Sequence, residues 1–439
     1  MTLKKQNLLA IGLMTFAMFL GAGNIIFPPF LGLEAGTQFL PAMLGFLLTA
    51  VGLPALTLIV LGRLSDSGQL TQALPKPLAI AFWVLLFIAI GPAFGMPRAV
   101  TVAYEMGIKP FFSGDHLMLF SALFVGATLL LAFQRGKLVD YIGKVMTPLL
   151  VLMLAALALA AIITPLGVLG DPSASYQNKA ITSGLIQGYM TMDAIAAVGF
   201  GWVIIKAIRD KGCESPQDVF QATLKVTLIY ALLMSACYLA MAYVGATSTS
   251  IAEGATNGGE LLTRYVAAIF GPLGQYLLAG IIIMACLTTT VGLTNACAEY
   301  SQQTFRTPFA ITAITAIIVT AMTGVVANFG LEQILAISLP AILILCPVAI
   351  ALVLAAWFLP TTKHNTISYV SVVIISVVFG GLDALHILGL LPESLSAPLT
   401  RYVPLFSAHA SWFLPVVLAV FISLLLNRQS RVLKASAEV

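Results

Sequence analysis

The chain has 439 residues, of which 60% are hydrophobic and only 9% charged, with a formal net charge of +4. Soluble domains carry roughly a quarter charged residues, so a soluble enzyme or binding module is excluded and the composition is that of a membrane protein. The basic excess comes without basic blocks interleaved with aromatics, and no nucleic-acid partner is implied.

Apolar runs of about 20 residues, enough to cross a hydrocarbon core of about 30 Å as helix, recur from end to end. They predict an all-α membrane protein with twelve transmembrane helices, at 8–33, 39–61, 78–105, 117–133, 141–164, 184–208, 219–245, 268–302, 308–328, 331–358, 366–391 and 408–427. The links between them are short and polar, so residues 1–439 read as one membrane domain in a lipid bilayer. Lys4 and Lys5, an apolar stretch and then Gly21, Ala22 and Gly23 also have the outline of a cleavable signal peptide. Its removal would leave an odd number of spans, and the segment is read as the first helix.

That first span contains "FLGAGNIIFPP", residues 19–29. Pro28 and Pro29 cannot donate to the carbonyls of Asn24 and Ile25, and Gly21 and Gly23 weaken the turn before them. Two half-helices meeting near residues 21–24 are expected, with the last carbonyls of one and the first N–H groups of the other lacking intrahelical partners. Neighbouring helices can close such a break as a plain kink. Alternatively it is a site, where N–H groups and the positive dipole end attract a carboxylate while the freed carbonyls attract an ammonium or sodium ion.

The third span carries Arg98 after Pro97, and Glu105 lies two turns along the same face. A buried Arg needs a partner. It forms a structural or gating ion pair with Glu105 or with Asp193, or it clamps a substrate carboxylate directly.

The sixth span is interrupted at "IQGYMTMDAIAAVGFGW", residues 186–202, with Gly188, Tyr189, Met190, Thr191, Met192 and Asp193 at its middle. Thr191 caps a second half-helix with Asp193 in its first turn, or Asp193 touches a ligand. Both readings require a helix start there. Spans one and six are five helices apart and so run in opposite directions. That is the pattern of an inverted five-plus-five repeat with broken helices 1 and 6, here 8–164 and 184–358, followed by two accessory helices over 366–427.

The eighth span holds "ACLTTTVGLTNACAEY", residues 285–300, with consecutive hydroxyls at Thr288, Thr289 and Thr290. Threonine commonly bonds its own helix, but three together offer oxygen ligands that suit a singly charged cation better than magnesium or calcium, which want carboxylates. Glu299 is placed at the cytoplasmic end of this span, anchoring a gate or the helix end. Asp383 and His386, toward the outer end of the eleventh span, are read as packing or interface polar groups.

Sixteen Lys and Arg fall on one side of the twelve spans and four, Lys109, Lys179, Arg264 and Arg401, on the other, which puts the N- and C-termini in the cytoplasm. The five cysteines give no outward-facing pair and imply no disulfide. There is no Walker motif, and His116, His364, His386 and His409 are scattered. The chain is therefore not read as an enzyme or primary pump, and no organic cofactor or obligate protein partner is expected.

The stretches "GAGNIIFPP", "GYMTMD" and "TTVGLTNACAE", in a chain of this length and span number, resemble the branched-chain amino acid:cation symporter family, of the superfamily with the leucine-transporter fold. The resemblance covers essentially the whole chain. It implies a secondary transporter of the bacterial inner (cytoplasmic) membrane that couples sodium entry to uptake of leucine, isoleucine and valine by alternating access. The same fold coupled to protons, or taking another small neutral amino acid, is the alternative; a channel and a non-transporting receptor are further ones. It also implies a sodium site from the carbonyls of Ala17 and Leu20 and the hydroxyls of Thr288 and Thr289. The substrate carboxylate would meet N–H groups around Gly21, Ala22, Gly23 and Asn24, and its ammonium the carbonyls from Gly188 to Met192. Some relatives bind a second sodium through an asparagine in the seventh span; residues 219–245 contain none.

Overall fold

The computed structural model describes residues 3–64, 66–134, 139–305 and 309–437, without the side chains of 139, 305, 309–311 and 427–437. Arg135, Lys137 and Arg306, which weigh in the orientation, and residue 308, the expected start of the ninth span, lie outside the described residues. The described chain is helical and divides into two units, one of residues 1–65 and 87–336 and one of residues 66–86 and 337–439.

The first unit opens with α1 (Lys5–Phe19) and α2 (Ala22–Ala35), α3 (Phe39–Leu47) and α4 (Leu53–Leu64). Helix α5 (Lys76–Ile88) leads into it, followed by α6 (Gly95–Gly107), α7 (Leu117–Phe133), α8 (Thr147–Ile163), α9 (Ala180–Met190) and α10 (Asp193–Asp210). Helices α11 (Pro216–Ala246), α12 (Gly258–Phe270), α13 (Pro272–Phe305) and α14 (Phe309–Ala327) continue it, and α15 (Leu331–Phe358) leads out. The second unit adds α16 (Thr366–Ile387), α17 (Glu393–Tyr402) and α18 (Phe413–Ala437).

Among the described residues seven helical runs are long and apolar enough to cross a membrane, eight if the bent pair α9–α10 counts as one span. Shorter apolar helices lie at Leu117–Phe133, Thr312–Ala327 and Phe413–Leu426. This is a multi-pass membrane protein. Every expected span contains helix, but α12 and α17 were expected as links. Asn257 starts α12 by accepting from the Glu260 N–H at 2.9 Å, an N-cap signal that the sequence does carry.

Both expected breaks are present, and the first is displaced. Leu20 (ψ 77) and extended Gly21 (ψ −169) separate α1 from α2, whereas residues 22–24 form the first turn of α2 and Pro28 and Pro29 lie inside it. The prolines cost bonds to Asn24 and Ile25 that a helix can forgo with a bend; the departure in backbone angle falls at Gly21. The second break is at Thr191–Met192, where Met192 takes a left-handed φ of 67°. A side chain pays strain there.

A third break had not been expected. Around "AIGPAFGMP" a π-helical turn at Ala89–Ala93 contains non-helical Gly91 (ψ −118), and α6 restarts at Gly95. Pro92 has no N–H to give the preceding turn.

Small residues bring the backbones together. A Cβ on Gly32 would overlap the Ala242 carbonyl and one on Gly245 the Pro29 carbonyl, so α2 and α11 cross backbone to backbone. Gly45, Gly184 and Gly188 do the same between α3 and α9. Without a hydrophobic force between helices in lipid, such close packing is what holds spans together. It also fixes α2 and α9, one half of each broken span, against helices that are continuous through the unit.

Candidate functional site

Three helix ends converge. A buried cavity of about 40 Å³ is bordered by Phe19, Gly21, Ala22 and Asn24 at the first break, by Ile90, Gly95, Arg98 and Ala99 at the third, and by Thr191, Met192, Asp193, Ala196 and Phe200 at the second. Thr289 and Leu293 of α13 close it. One half of the lining is apolar, and the other presents backbone ends, Asp193 and Arg98. At roughly 10–15 Å³ per water, the cavity holds a few waters, and an amino acid enters only if the surrounding helices part.

The first-turn N–H groups of Ala22 and Gly23 have no intrahelical acceptor, which leaves them available to an anion. Asp193 is 4% exposed and starts α10. The carboxylate is not used as a cap: Asn24 Nδ2 donates to Oδ1 at 3.0 Å and Oδ2 at 2.8 Å, and the Tyr238 hydroxyl to Oδ2 at 2.6 Å. Thr191 is the local capping side chain, its Oγ1 accepting from Asp193 N at 3.4 Å and donating to the Gly188 carbonyl at 2.8 Å.

Arg98 is buried and donates to the Thr191 carbonyl at 3.3 Å. Its expected pair with Glu105 does not form. Glu105 takes Lys109 instead, at 2.7 Å one turn along the same helix, on a half-exposed surface. A lysine at i+4 reaches the carboxylate without leaving water, whereas Arg98 would have to leave the helix ends it packs against. Arg98 and Asp193 attract each other electrostatically without a direct ion pair.

Arg98 and Gly23 also form the floor of a second, open cavity of about 890 Å³, lined by Phe27, Glu105, Lys109, Asn257, Glu260 and Glu332 among others. One buried arginine therefore borders both a wide vestibule and the small cavity.

Thr288 Oγ1 has the Ala17 carbonyl at 2.8 Å and the Ala285 carbonyl at 2.9 Å as acceptors for its one hydrogen, and it joins α13 to the end of α1. Thr289 Oγ1 bonds the Ala285 carbonyl at 3.1 Å and lies 3.2 Å from where a Cβ on Gly21 would be. Thr290 turns away, to Thr128 of α7 at 3.1 Å. Of the expected site residues, Gly188 and Tyr189 do not line the small cavity: Gly188 packs on α3, and their carbonyls accept from the Thr191 and Met192 N–H groups. Met190 ends α9.

Tyr238 and the α5–α6 break were missed from the sequence. The break has a signal, glycine and proline twice within "GPAFGMP"; a lone tyrosine in an apolar helix has none. Toward the other end of α10 and α13, Lys206 pairs with Glu299 at 3.5 Å and Trp202 stands edge-on to Tyr300 at 5.6 Å. Asp383 accepts the Ser411 N–H at 3.0 Å, a structural contact within the second unit.

A family model described as "Branched-chain amino acid transport protein" matches residues 4–430. The branched-chain amino acid transport system 2 carrier protein of Pseudomonas aeruginosa is 40% identical over 97% of both chains. The branched-chain amino acid permease BrnQ of Haemophilus influenzae is 37% identical over 97% of this chain and 98% of its own. Among solved structures, MhsT in complex with L-phenylalanine superposes with a TM-score of 0.55 at 18% identity, covering 97% of this chain and 99% of the other. That likeness is one of fold, the leucine-transporter type.

Proposed function

The chain belongs to the branched-chain amino acid transport protein family, and from that premise we propose that it takes up leucine, isoleucine and valine together with sodium across a bacterial inner membrane. In this reading the twelve spans hold an inverted five-plus-five repeat with both termini in the cytoplasm, and substrate binds between the two broken helices. The observation that supports it most is the single cavity shared by Gly21, Ala22, Asn24, Thr191, Asp193 and Arg98.

The N–H groups of Ala22 and Gly23 take the substrate carboxylate, and its ammonium lies toward Asp193 and the backbone at Thr191 and Met192, the part of the expected Gly188–Met192 stretch that borders the cavity. The branched side chain packs against Phe19, Ile90, Phe200 and Leu293. Sodium sits between the carbonyls of Ala17 and Leu20 and the hydroxyls of Thr288 and Thr289, four neutral oxygens that suit a singly charged ion. The contact of Thr288 with Ala17 supports that placement. The vestibule faces outward, and rocking of the half-helices opens the cavity to each side in turn. A channel would need a continuous pore, and the small cavity is only about 40 Å³.

The test is radiolabelled leucine uptake into proteoliposomes under an imposed sodium or proton gradient. Accumulation driven by sodium supports the reading. Equal accumulation by protons without sodium moves it to a proton-coupled carrier, and accumulation under neither gradient overturns it.

A further inference from the structure

Asp383 lies in the last two turns of α16, fully buried, with Oδ2 accepting the Ser411 N–H at 3.0 Å and Oδ1 without a partner. His386 follows one turn on, on the same face of the helix. Its ring is 5.3 Å from that of His409 and 4.8 Å from that of Phe406, and the Nδ1 atoms of both histidines are buried and unpartnered. Buried polar atoms normally find a partner. Three without one, where one helix end meets one loop, mark a site that lacks something. Among the described residues no group of three His, Cys, Asp or Glu is placed to hold a metal ion.

The loop is held under strain. Leu405 and His409 take left-handed backbone angles, φ 62° and 50°, which residues other than glycine keep only where their surroundings impose them. Phe406, next to Leu405, is fully buried against His386. The other titratable groups on the packed elements are few. On α16, Tyr369 bonds the Leu359 carbonyl at 3.2 Å near the opposite end, and Lys363 and His364 precede the helix. On α17, Glu393, Arg401 and Tyr402 are exposed, with Arg401 over the Tyr402 ring at 5.4 Å. The described side chains of α18 include no titratable group, and α15, which meets α16 at Gly380 through Leu343, Ile344 and Pro347, carries Cys346 there.

We infer that Asp383, His386 and His409 form a binding site for a proton, which fastens loop 405–411 to the end of α16 when empty and frees it when filled. Histidine is the side chain whose ordinary charge change falls between about pH 5 and 8. A proton taken up at His386 Nδ1 turns that atom from an acceptor into a donor, and Asp383 Oδ1, one turn back, is an acceptor without a donor. The charged ring is drawn toward the carboxylate and away from Phe406, and a second charge on His409, at 5.3 Å between rings, repels it. Both effects unseat a loop whose strain already favours leaving. The site lies within the second unit and rests on neither the substrate nor the coupling-ion reading.

The test is backbone hydrogen exchange in the purified full chain, read in peptides covering residues 403–412 at about pH 7.5 and about pH 5.5, which bracket the ordinary imidazole range, with labelling times scaled for the intrinsic pH dependence of exchange. Protection of this segment is expected to fall about tenfold on acidification, the effect of one pKa unit of linkage, while that of residues 369–380 is unchanged. His386→Gln and His409→Gln, neither able to charge, are each expected to lose most of the fall. Equal protection at both pH values in the unmodified protein overturns the inference without need of a variant. So does a fall that persists in both variants, since another group then takes the proton, and so does an equal fall over residues 369–380, which is general loosening. Zinc chloride added at the higher pH tests the remaining reading: protection raised by zinc in the unmodified protein and in neither variant would make this a metal site in place of a proton site.

Discussion

Arg98 Nη2 lies 2.8 Å from the point that a Cβ on Gly23 would occupy, and the same guanidinium reaches the Thr191 carbonyl at 3.3 Å. The missing side chain at Gly23 is what lets a buried arginine lie across the first turn of α2 and touch the second break.

Replacement of Gly23 therefore acts on two things at once. Gly23→Ala displaces the far end of a flexible side chain and is expected to lower leucine uptake several-fold. Gly23→Leu fills the approach to the Ala22 and Gly23 N–H groups and is expected to abolish binding, with the protein still inserted in the membrane. Normal leucine affinity in inserted Gly23→Leu protein would show that the break is a kink and no binding site.

Much of this site was legible because its residues break rules. Glycines before a double proline, a carboxylate in a span and three adjacent threonines each stand out in apolar sequence, and the structure brings Gly21, Asp193 and Thr289 to one cavity. The first break moved to Leu20–Gly21 because prolines limit which bonds form, whereas the angle at a glycine decides where the helix stops. Glu105 was misassigned on helical periodicity alone; being on one face does not rank Arg98 above Lys109, which is one turn away in water. Tyr238 lies 45 positions from Asp193 and 214 from Asn24, and no local pattern reports such a contact.

The apolar half of the cavity is expected to set selectivity. Phe19, Ile90, Ala196, Phe200 and Leu293 offer no polar group to a substrate side chain, and one methylene in such a pocket is worth only about 1–3 kcal/mol. Leucine, isoleucine and valine should compete with one another for uptake at comparable concentrations, and lysine and glutamate should not. Competition by lysine equal to that by valine would contradict the assignment of this wall.

Closure between α10 and α13 should depend more on its ring contact than on its ion pair. Lys206 is 47% exposed against 10% for Glu299, so their 3.5 Å pair is screened from its lysine side and worth about 1 kcal/mol. Tyr300 is buried against Trp202 and stacks on Phe87 at 4.8 Å. Cys297, one turn away and 4% exposed, reports the opening. Its alkylation by a maleimide should speed up clearly in Tyr300→Ala and by less than about fivefold in Lys206→Ala; the reverse order would place the closure in the ion pair.

Sodium dependence is expected to run through Thr288 and Thr289 and to bypass Thr290. The Thr288 hydroxyl already reaches the Ala17 carbonyl at 2.8 Å and Thr289 borders the cavity, so both stand beside the end of α1. Thr290 is turned by about 100° around the helix and bonds Thr128. A cation held by a few neutral oxygens is bound weakly, and losing one hydroxyl leaves it short of a ligand that enclosed surroundings do not replace with water. Thr288→Ala and Thr289→Ala should each need roughly tenfold more sodium for half-maximal leucine uptake. Because coupling between two ligands is reciprocal, leucine affinity in these variants should fall at low sodium and recover at high sodium. Thr290→Ala should keep the unmodified sodium requirement, its loss being one hydrogen bond to α7 that shows as a small drop in thermal stability. An unchanged requirement in both the Thr288 and Thr289 variants would remove the cation from this junction.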